Sequence, residues 1–230
     1  MLTRILEPEL MDTVEDAHEY DAMDHSIVNA QFVTDLMAAI ADWSLKLPAE
    51  TPTILQILDL GAGTAQIPIE LVRRADSVHV TAVDAAENML ALARANVAAA
   101  SLSGHITMAL ADAKSLPFDS ATFPVVISNS IIHHIGQPHE VVAEAVRVTE
   151  PGGLLFHRDL VRPADEDQLQ HIVSTYASDA TPYQRRLFAN SLRAALTLDE
   201  MRNVVAGFGG LPDAVQMTSD RHWTWAATKM

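Results

Sequence analysis

Between residues 54 and 160, short apolar runs alternate with stretches whose apolar residues recur near every 3.6 positions. The runs fall at 54–60, 78–83, 106–110, 125–128 and 153–160. Between them lie patterns such as Met89, Leu90, Ala93 and Val97, and later Val141, Val142, Ala145 and Val146. A run that is apolar throughout and too short for a helix must be buried on both faces. A parallel sheet covered by helices on each side meets that demand. The pattern therefore predicts an α/β, doubly wound fold. The 230 residues suit one domain, and a 49% hydrophobic composition supplies its core.

The flanks break this rhythm. Residues 24–43 read as one amphipathic helix, with Asp24 as N-cap and Ile27, Val28, Phe32, Leu36 and Ile40 facing inward. Residues 163–207 read as helical with no strand. Thr181 and Pro182 start one helix, Thr197 to Glu200 form a capping box for the next, and Gly207, Gly209 and Gly210 stop it. The tail, 214–217 and 222–228, reads as a final strand pair. The single domain thus divides into an N-terminal flap and helix (1–43), a core (54–160), a helical lid (163–207) and a closing strand pair (211–230). A lid inserted after the fifth strand lies over the carboxyl ends of the strands, where open sheets bind ligands.

Composition narrows the function. A formal charge of −15 repels phosphate backbones and anionic membranes, so nucleic acid is excluded as the expected partner. With no cysteine, disulfides, thiolate catalysis and Cys-ligated zinc are impossible. The first residues carry acids where a signal peptide has a positive flank, and there is no apolar run of the ~18 residues a membrane span needs. A cytoplasmic protein is expected.

The first run ends at Asp59, and Gly61, Ala62 and Gly63 turn the chain sharply into a helix. Glycine serves where backbone must take positive φ or approach a ligand closely. Taken alone, the loop is weak evidence, since a tight turn without a ligand can carry the same glycines. Asp84 ends the next strand 21 residues beyond Gly63. An acid about 20 residues past such a loop is placed to hydrogen-bond both ribose hydroxyls of an adenosine, although Asp84 also suits a helix N-cap. Asp112 and Ala113 follow another strand. A carboxylate there can accept from an adenine amine, or simply stabilise a turn.

In order, D-L-G-A-G-T (59–64), V-D-A-A-E-N-M-L (83–90), A-D-A-K-S-L-P-F (111–118), V-V-I-S-N-S-I-I-H-H-I (125–135) and E-P-G-G (150–153) resemble the motif series of class I S-adenosylmethionine (SAM)-dependent methyltransferases. The likeness spans roughly residues 15–160 and is greatest to the branch of small-molecule and quinone-biosynthesis enzymes. It implies a Rossmann-like seven-stranded sheet of order 3-2-1-4-5-7-6 with strand seven antiparallel, SAM as cofactor and S-adenosylhomocysteine (SAH) as its product. It implies further that Asp84 holds the ribose, that Asp112 reads the adenine, and that Gly61 and Gly63 make room for the methionine moiety. Asp59, Ala62, Ala85, Met89, Ala113, Asn129 and Ser130 complete the expected cofactor site. Ala65 stands where a glycine is frequent, and Pro124 where an acid often precedes the fourth strand.

Methyl transfer needs alignment and exclusion of water, and a base only for a protonated acceptor. His133 and His134 are candidate bases near neutral pH; alternatively they shape the pocket through backbone hydrogen bonds. Zinc binding by this pair is not expected, since adjacent side chains should diverge and no third ligand has good spacing. Asp159, at the end of the fifth strand, should reach the same rim, to orient an acceptor or to pair with Arg158 or Arg162. Residues 16–26 resemble the family's flap, which places Tyr20 beside the sulfonium; a hydrophobic staple for the following helix is the alternative. Tyr176, Tyr183, Arg185 and Arg186 are candidate lid contacts. The expected partner is a small molecule. Two other classes share these motifs in part: a non-catalytic SAM-binding protein, and an NAD-dependent oxidoreductase, which would leave Asp112 and Asn129 unexplained. The acceptor, the atom methylated and the oligomeric state are not encoded in any motif.

Overall fold

A computed structural model describes residues 2–9, 12–46 and 54–230. Its centre is a seven-stranded sheet of order β3-β2-β1-β4-β5-β7-β6. The strands are β1 (Leu55–Leu60), β2 (Val78–Asp84), β3 (Ile106–Leu110), β4 (Phe123–Asn129), β5 (Thr149–Leu160), β6 (Val215–Met217) and β7 (His222–Thr228). The first five run parallel, and β7 inserts antiparallel between β5 and β6. The expected order and direction hold. With a two-residue side-chain period, each strand feeds both faces. Ile57, Val80, Val125, Ile127 and Phe156 pack on one side, and Leu58, Leu60, Val126, Leu155 and Trp225 on the other.

The first face is covered by α2 (Ser26–Ser44), α3 (Gln66–Arg74) and α4 (Glu87–Ala99), which contribute Phe32, Leu36, Ile69, Val72, Ala93 and Val97. The second is covered by α5 (Pro138–Val148) and α8 (Leu198–Ala206), through Val141, Val142, Ala145, Met201 and Val205. Three short helices stand at the carboxyl edge of the sheet. Helix α1 (Val14–Asp21) packs Ala17 and Tyr20 against Ala86 and Met89. Helices α6 (Glu166–Tyr176) and α7 (Pro182–Ala194) form a pair with their own small core of Leu169, Ile172, Ala189 and Leu192. Thus 163–207 is helical as expected, but α8 lies under the sheet and only α6 and α7 stand over its edge.

Local differences from the sequence reading have local causes. Strand β4 starts at Phe123 and includes Pro124, and its pairing with β5 shifts register between Phe123 and Val125. Proline lacks the N–H for the ladder, and a bulge absorbs the gap. Strand β5 correspondingly starts at Thr149, earlier than 153. Asp24 accepts from Ser26 N at 2.9 Å and so serves the start of α2, although His25 occupies the cap position itself. Ile27 and Val28 are not inward: Ile27 is 83% exposed and Val28 37%. The buried residues of α2 begin at Phe32, Val33 and Leu36.

Candidate active site

Strand β1 delivers Asp59 to the sheet edge, and the chain then turns with Gly61 at φ 67° and Gly63 at φ 54°. Ala62 N donates to Val83 O at 2.9 Å, and Gly63 N donates to Asp84 Oδ2 at 2.8 Å. Asp84 Oδ1 accepts from Ala86 N at 2.9 Å. The carboxylate expected for the ribose therefore already holds the glycine turn to the start of α4. A Cβ on Gly61 would collide with the Ile131 side chain, and one on Gly63 would face Tyr20 Cε1 at 3.6 Å. Ala65, the departure from the frequent glycine, has φ 64° at the N-cap of α3. Its methyl is fully buried in the core, so burial offsets part of the cost of left-handed backbone.

Three cavities meet around Tyr20, on α1. The first, of about 180 Å³, is lined by Asp59, Gly61, Ala62, Thr64 and Asn129. The second, of about 120 Å³, is lined by Gly63, Asp84, Ala85, Met89, Asp112 and Ala113. The third, of about 560 Å³, lies beneath α6 and α7 and is lined by His133, His134, Leu160, Tyr176 and Phe188 among others. Tyr20 and Asn129 line all three, while Ser130 lines the second and third. Every residue expected to bind the cofactor thus lines the first or the second of these cavities.

The electrostatics are unusual for so acidic an edge. Asp59 is only 2% exposed, and its carboxyl is raised well above the usual range, by burial first and then by Asp84. Burial also raises Asp84, partly opposed by the N–H groups of Ala86 and Gly63. The Tyr20 hydroxyl is pushed up to about 12 by burial and by the carboxylates of Asp84, Asp59 and Asp21, so it stays protonated. Among the described residues, no cation stands against Asp59 or Asp84 to relieve this. At the far end, Asp112 is not free: Lys114 Nζ lies 3.1 Å from Asp112 Oδ1 and 2.8 Å from Glu9.

Asp159, at the end of β5, reaches across to the 3-10 turn Ile132–His134. Its Oδ1 lies 2.6 Å from His133 Nδ1, and its Oδ2 accepts from His133 N at 3.0 Å. Burial alone would lower His133, but the Asp159 charge and hydrogen bond raise it above the usual value. Burial would likewise raise Asp159, and His133 reverses this. The alternative pairing of Asp159 with Arg158 or Arg162 is not made: Arg158 pairs with Asp35 on α2 and Arg162 with Glu200 on α8. The two adjacent histidines do not diverge. The 3-10 turn brings their ring centroids to 4.1 Å at a 36° tilt, and Glu7 stands beside them.

The first nine residues carry no motif, and their role was invisible in the sequence. Arg4 donates to the carbonyls of Ala194, His133 and Ile135, at 2.7, 3.3 and 3.0 Å. Glu7 lines the large cavity and Glu9 the second one. Long-range contacts bring them there, among them Arg4 on these carbonyls, Ile5 N on Arg193 O and Lys114 on Glu9, and no local pattern reports them. Of the lid candidates, Tyr176 lines the large cavity, with its hydroxyl 2.6 Å from Asp220 and Arg221 stacked on its ring. Tyr183 instead donates to Asp16 of α1 at 3.0 Å, and Arg186 lies over its ring. Arg185 caps the turn after α6 through the Ser178 and Ala180 carbonyls.

Residues 57–153 match the model of a methyltransferase domain. Over 152 residues, 66% of this chain and 58% of the relative, the chain is 28% identical to a ubiquinone/menaquinone biosynthesis C-methyltransferase of Cereibacter sphaeroides. It is 26% identical to a protein of the same description from Ruegeria over 197 residues, 86% of this chain and 74% of that one. The chain spans a little over half the length of the first curated relatives it matches, between 54% and 58%. Its fold is similar to that of a SAM-dependent methyltransferase from Aquifex aeolicus, with a TM-score of 0.62, 14% identity, and 95% and 99% of the two chains covered.

Proposed function

We propose that the chain is a class I SAM-dependent methyltransferase, related to the branch that includes quinone-biosynthesis enzymes, and that it transfers the cofactor's methyl group to a small organic acceptor. The similarity to methyltransferases favours this reading over the oxidoreductase alternative. One observation carries the reading: the residues expected to bind the cofactor line two cavities that share Tyr20 and Asn129 with a third, larger one beneath α6 and α7.

The residues present fit the cofactor. Buried Asp59 and Asp84, with no cation against them among the described residues, suit the ammonium and the ribose hydroxyls respectively. Gly61, Ala62 and Gly63 leave backbone open to the methionine moiety, while Ala85 and Met89 with Asp112 and Ala113 flank the adenine. When bound, SAM supplies a methyl group already activated by a positive sulfur. Tyr20 then offers a ring face and a protonated hydroxyl to that charge, which is where the three cavities meet. On the acceptor side, His133 and His134 hold the nucleophilic atom, and Asp159 acts through His133 as a positioning residue. Alignment and dryness do most of the work.

The same proposal makes the acceptor a diffusible small molecule handled in the cytoplasm, since a charge of −15 opposes a polyanion such as RNA. It also treats residues 1–230 as one catalytic unit. The test is incubation with methyl-labelled SAM and a panel of phenols, enols and amines, following SAH release and label transfer. Tight SAH binding with label transfer to a panel member supports the reading. Calorimetry showing no SAH binding by folded protein would sink it.

A further inference from the structure

We propose that Glu7, His133 and His134 form a binding site for a divalent cation of the zinc class, open on one side to the large cavity. A nitrogen of each histidine and a carboxylate oxygen of Glu7 lie within 4.8 Å of one another. His134 Nδ1 stands 3.3 Å from Glu7 Oε2. Two ligands of a tetrahedral zinc ion, at bond lengths of about 2.0–2.1 Å, are separated by about 3.3 Å. As a hydrogen bond the pair is unmade: His134 Nδ1 is buried without a partner, and so is Glu7 Oε1. Leaving such atoms unmet in a buried site is costly, and each needs a donor or a cation.

The surroundings favour the cation. Asp159 occupies Nδ1 of His133, which leaves Nε2 as the free nitrogen. A carboxylate behind a histidine is the usual outer support of a metal-ligating imidazole, since it fixes the ring and its tautomer. Arg4, the nearby cation, donates to three backbone carbonyls and forms no ion pair with Glu7 among the described residues. Two imidazoles and one carboxylate match zinc or cobalt, not magnesium or calcium, which prefer oxygen throughout. All three side chains line the cavity under α6 and α7, so the open coordination position faces it. There the ion takes an oxygen, from water or, resting on the methyltransferase reading, from a hydroxyl or carbonyl of the acceptor.

The test uses the untagged full chain, stripped by chelator. Zinc is titrated by calorimetry, and cobalt is followed by its visible absorption. One equivalent per chain is expected, with the intense cobalt bands of four- or five-coordination. Glu7→Gln and His134→Ala should each weaken zinc binding at least tenfold. His171→Ala, at an exposed position on α6, should bind as the parent does. SAH binding and thermal melts of the same preparations report whether each variant is folded. Zinc binding by folded Glu7→Gln or His134→Ala at parental affinity overturns the site, as does the absence of stoichiometric binding to the parent. If the parent binds SAH but not zinc, the cation site fails and the methyltransferase reading stands. If it binds zinc but not SAH, the site stands and that reading fails.

Discussion

A methyl group added to Gly61 would run into Ile131, whereas one added to Gly63 would meet only Tyr20, at 3.6 Å. Both glycines have positive φ, so both alanine variants carry backbone strain of about 1–2 kcal/mol. Gly61→Ala adds overpacking, for a total loss of about 2–4 kcal/mol in chemical denaturation. Gly63→Ala should stay folded with a smaller loss, yet bind SAH weakly, because its methyl enters the groove beside Tyr20. Equal stability losses in the two variants would contradict this division. Asp84 needs a gentler substitution than alanine, since it holds the N–H groups of Gly63 and Ala86. Asp84→Asn keeps the shape and one acceptor oxygen but removes the charge. It should weaken SAH binding about ten- to a hundredfold, as loss of a charged hydrogen bond of about 1.5–3 kcal/mol requires. Unchanged affinity in the folded variant would remove Asp84 from the ribose.

Helices α1 and α7 are far apart in sequence and joined by the hydroxyl of Tyr183 on Asp16. One lines the two smaller cavities through Tyr20, and the other roofs the large cavity through Leu187 and Phe188. A ligand that orders α1 is therefore expected to order α7 as well. Hydrogen exchange should show protection rising in both helices when SAH binds the parent. In Tyr183→Phe, protection should rise in α1 and much less in α7. Equal protection of α7 in the variant would mean that the hydroxyl does not couple them. The Thr181 capping box with Pro182 gives α7 a firm start of its own, so this variant should leave the helix formed.

At the scale of the molecule, acid should act through the histidine buried in the sheet. His157, on β5, is fully buried, stacks on Trp225 and has no hydrogen-bond partner on either nitrogen. Burial pushes it down to about 3. Above the unfolded value of about 6.5 it is neutral in both states and contributes nothing. Below that, the unfolded chain takes a proton that the folded one refuses, so stability falls as pH falls, by about 1.4 kcal/mol per pH unit until the folded value is reached. Asp59 works oppositely: its folded carboxyl is raised, so acid relieves it. Comparing the parent with His157→Leu cancels that term. The variant should gain about 2 kcal/mol relative to the parent between about pH 7 and pH 5. A stability difference that stays constant over this range would refute the assignment.

The alternation of strands and helices, the glycine turn and the acids at the strand tips were legible because each is written locally, as a run of apolar residues, a spacing or a cap, whereas the sheet order came only from the family resemblance. Those signals follow from the two-residue and 3.6-residue periods of the chain itself. Ala65 in left-handed backbone and Pro124 inside a strand run against local preference, and only packing shows how they are tolerated. The pairing of Asp159 with His133, 26 residues apart, depends on β4 and β5 lying side by side. The arrival of Glu7 next to His134 depends on Arg4 catching carbonyls on two distant segments. Such contacts join residues with no fixed spacing, and their geometry is set by the summed packing of elements. The local chemistry of the glycine turn and the strand-tip acids therefore lay in the sequence, while the make-up of the large cavity's wall, and the ion we propose for it, was decided by the tertiary fold.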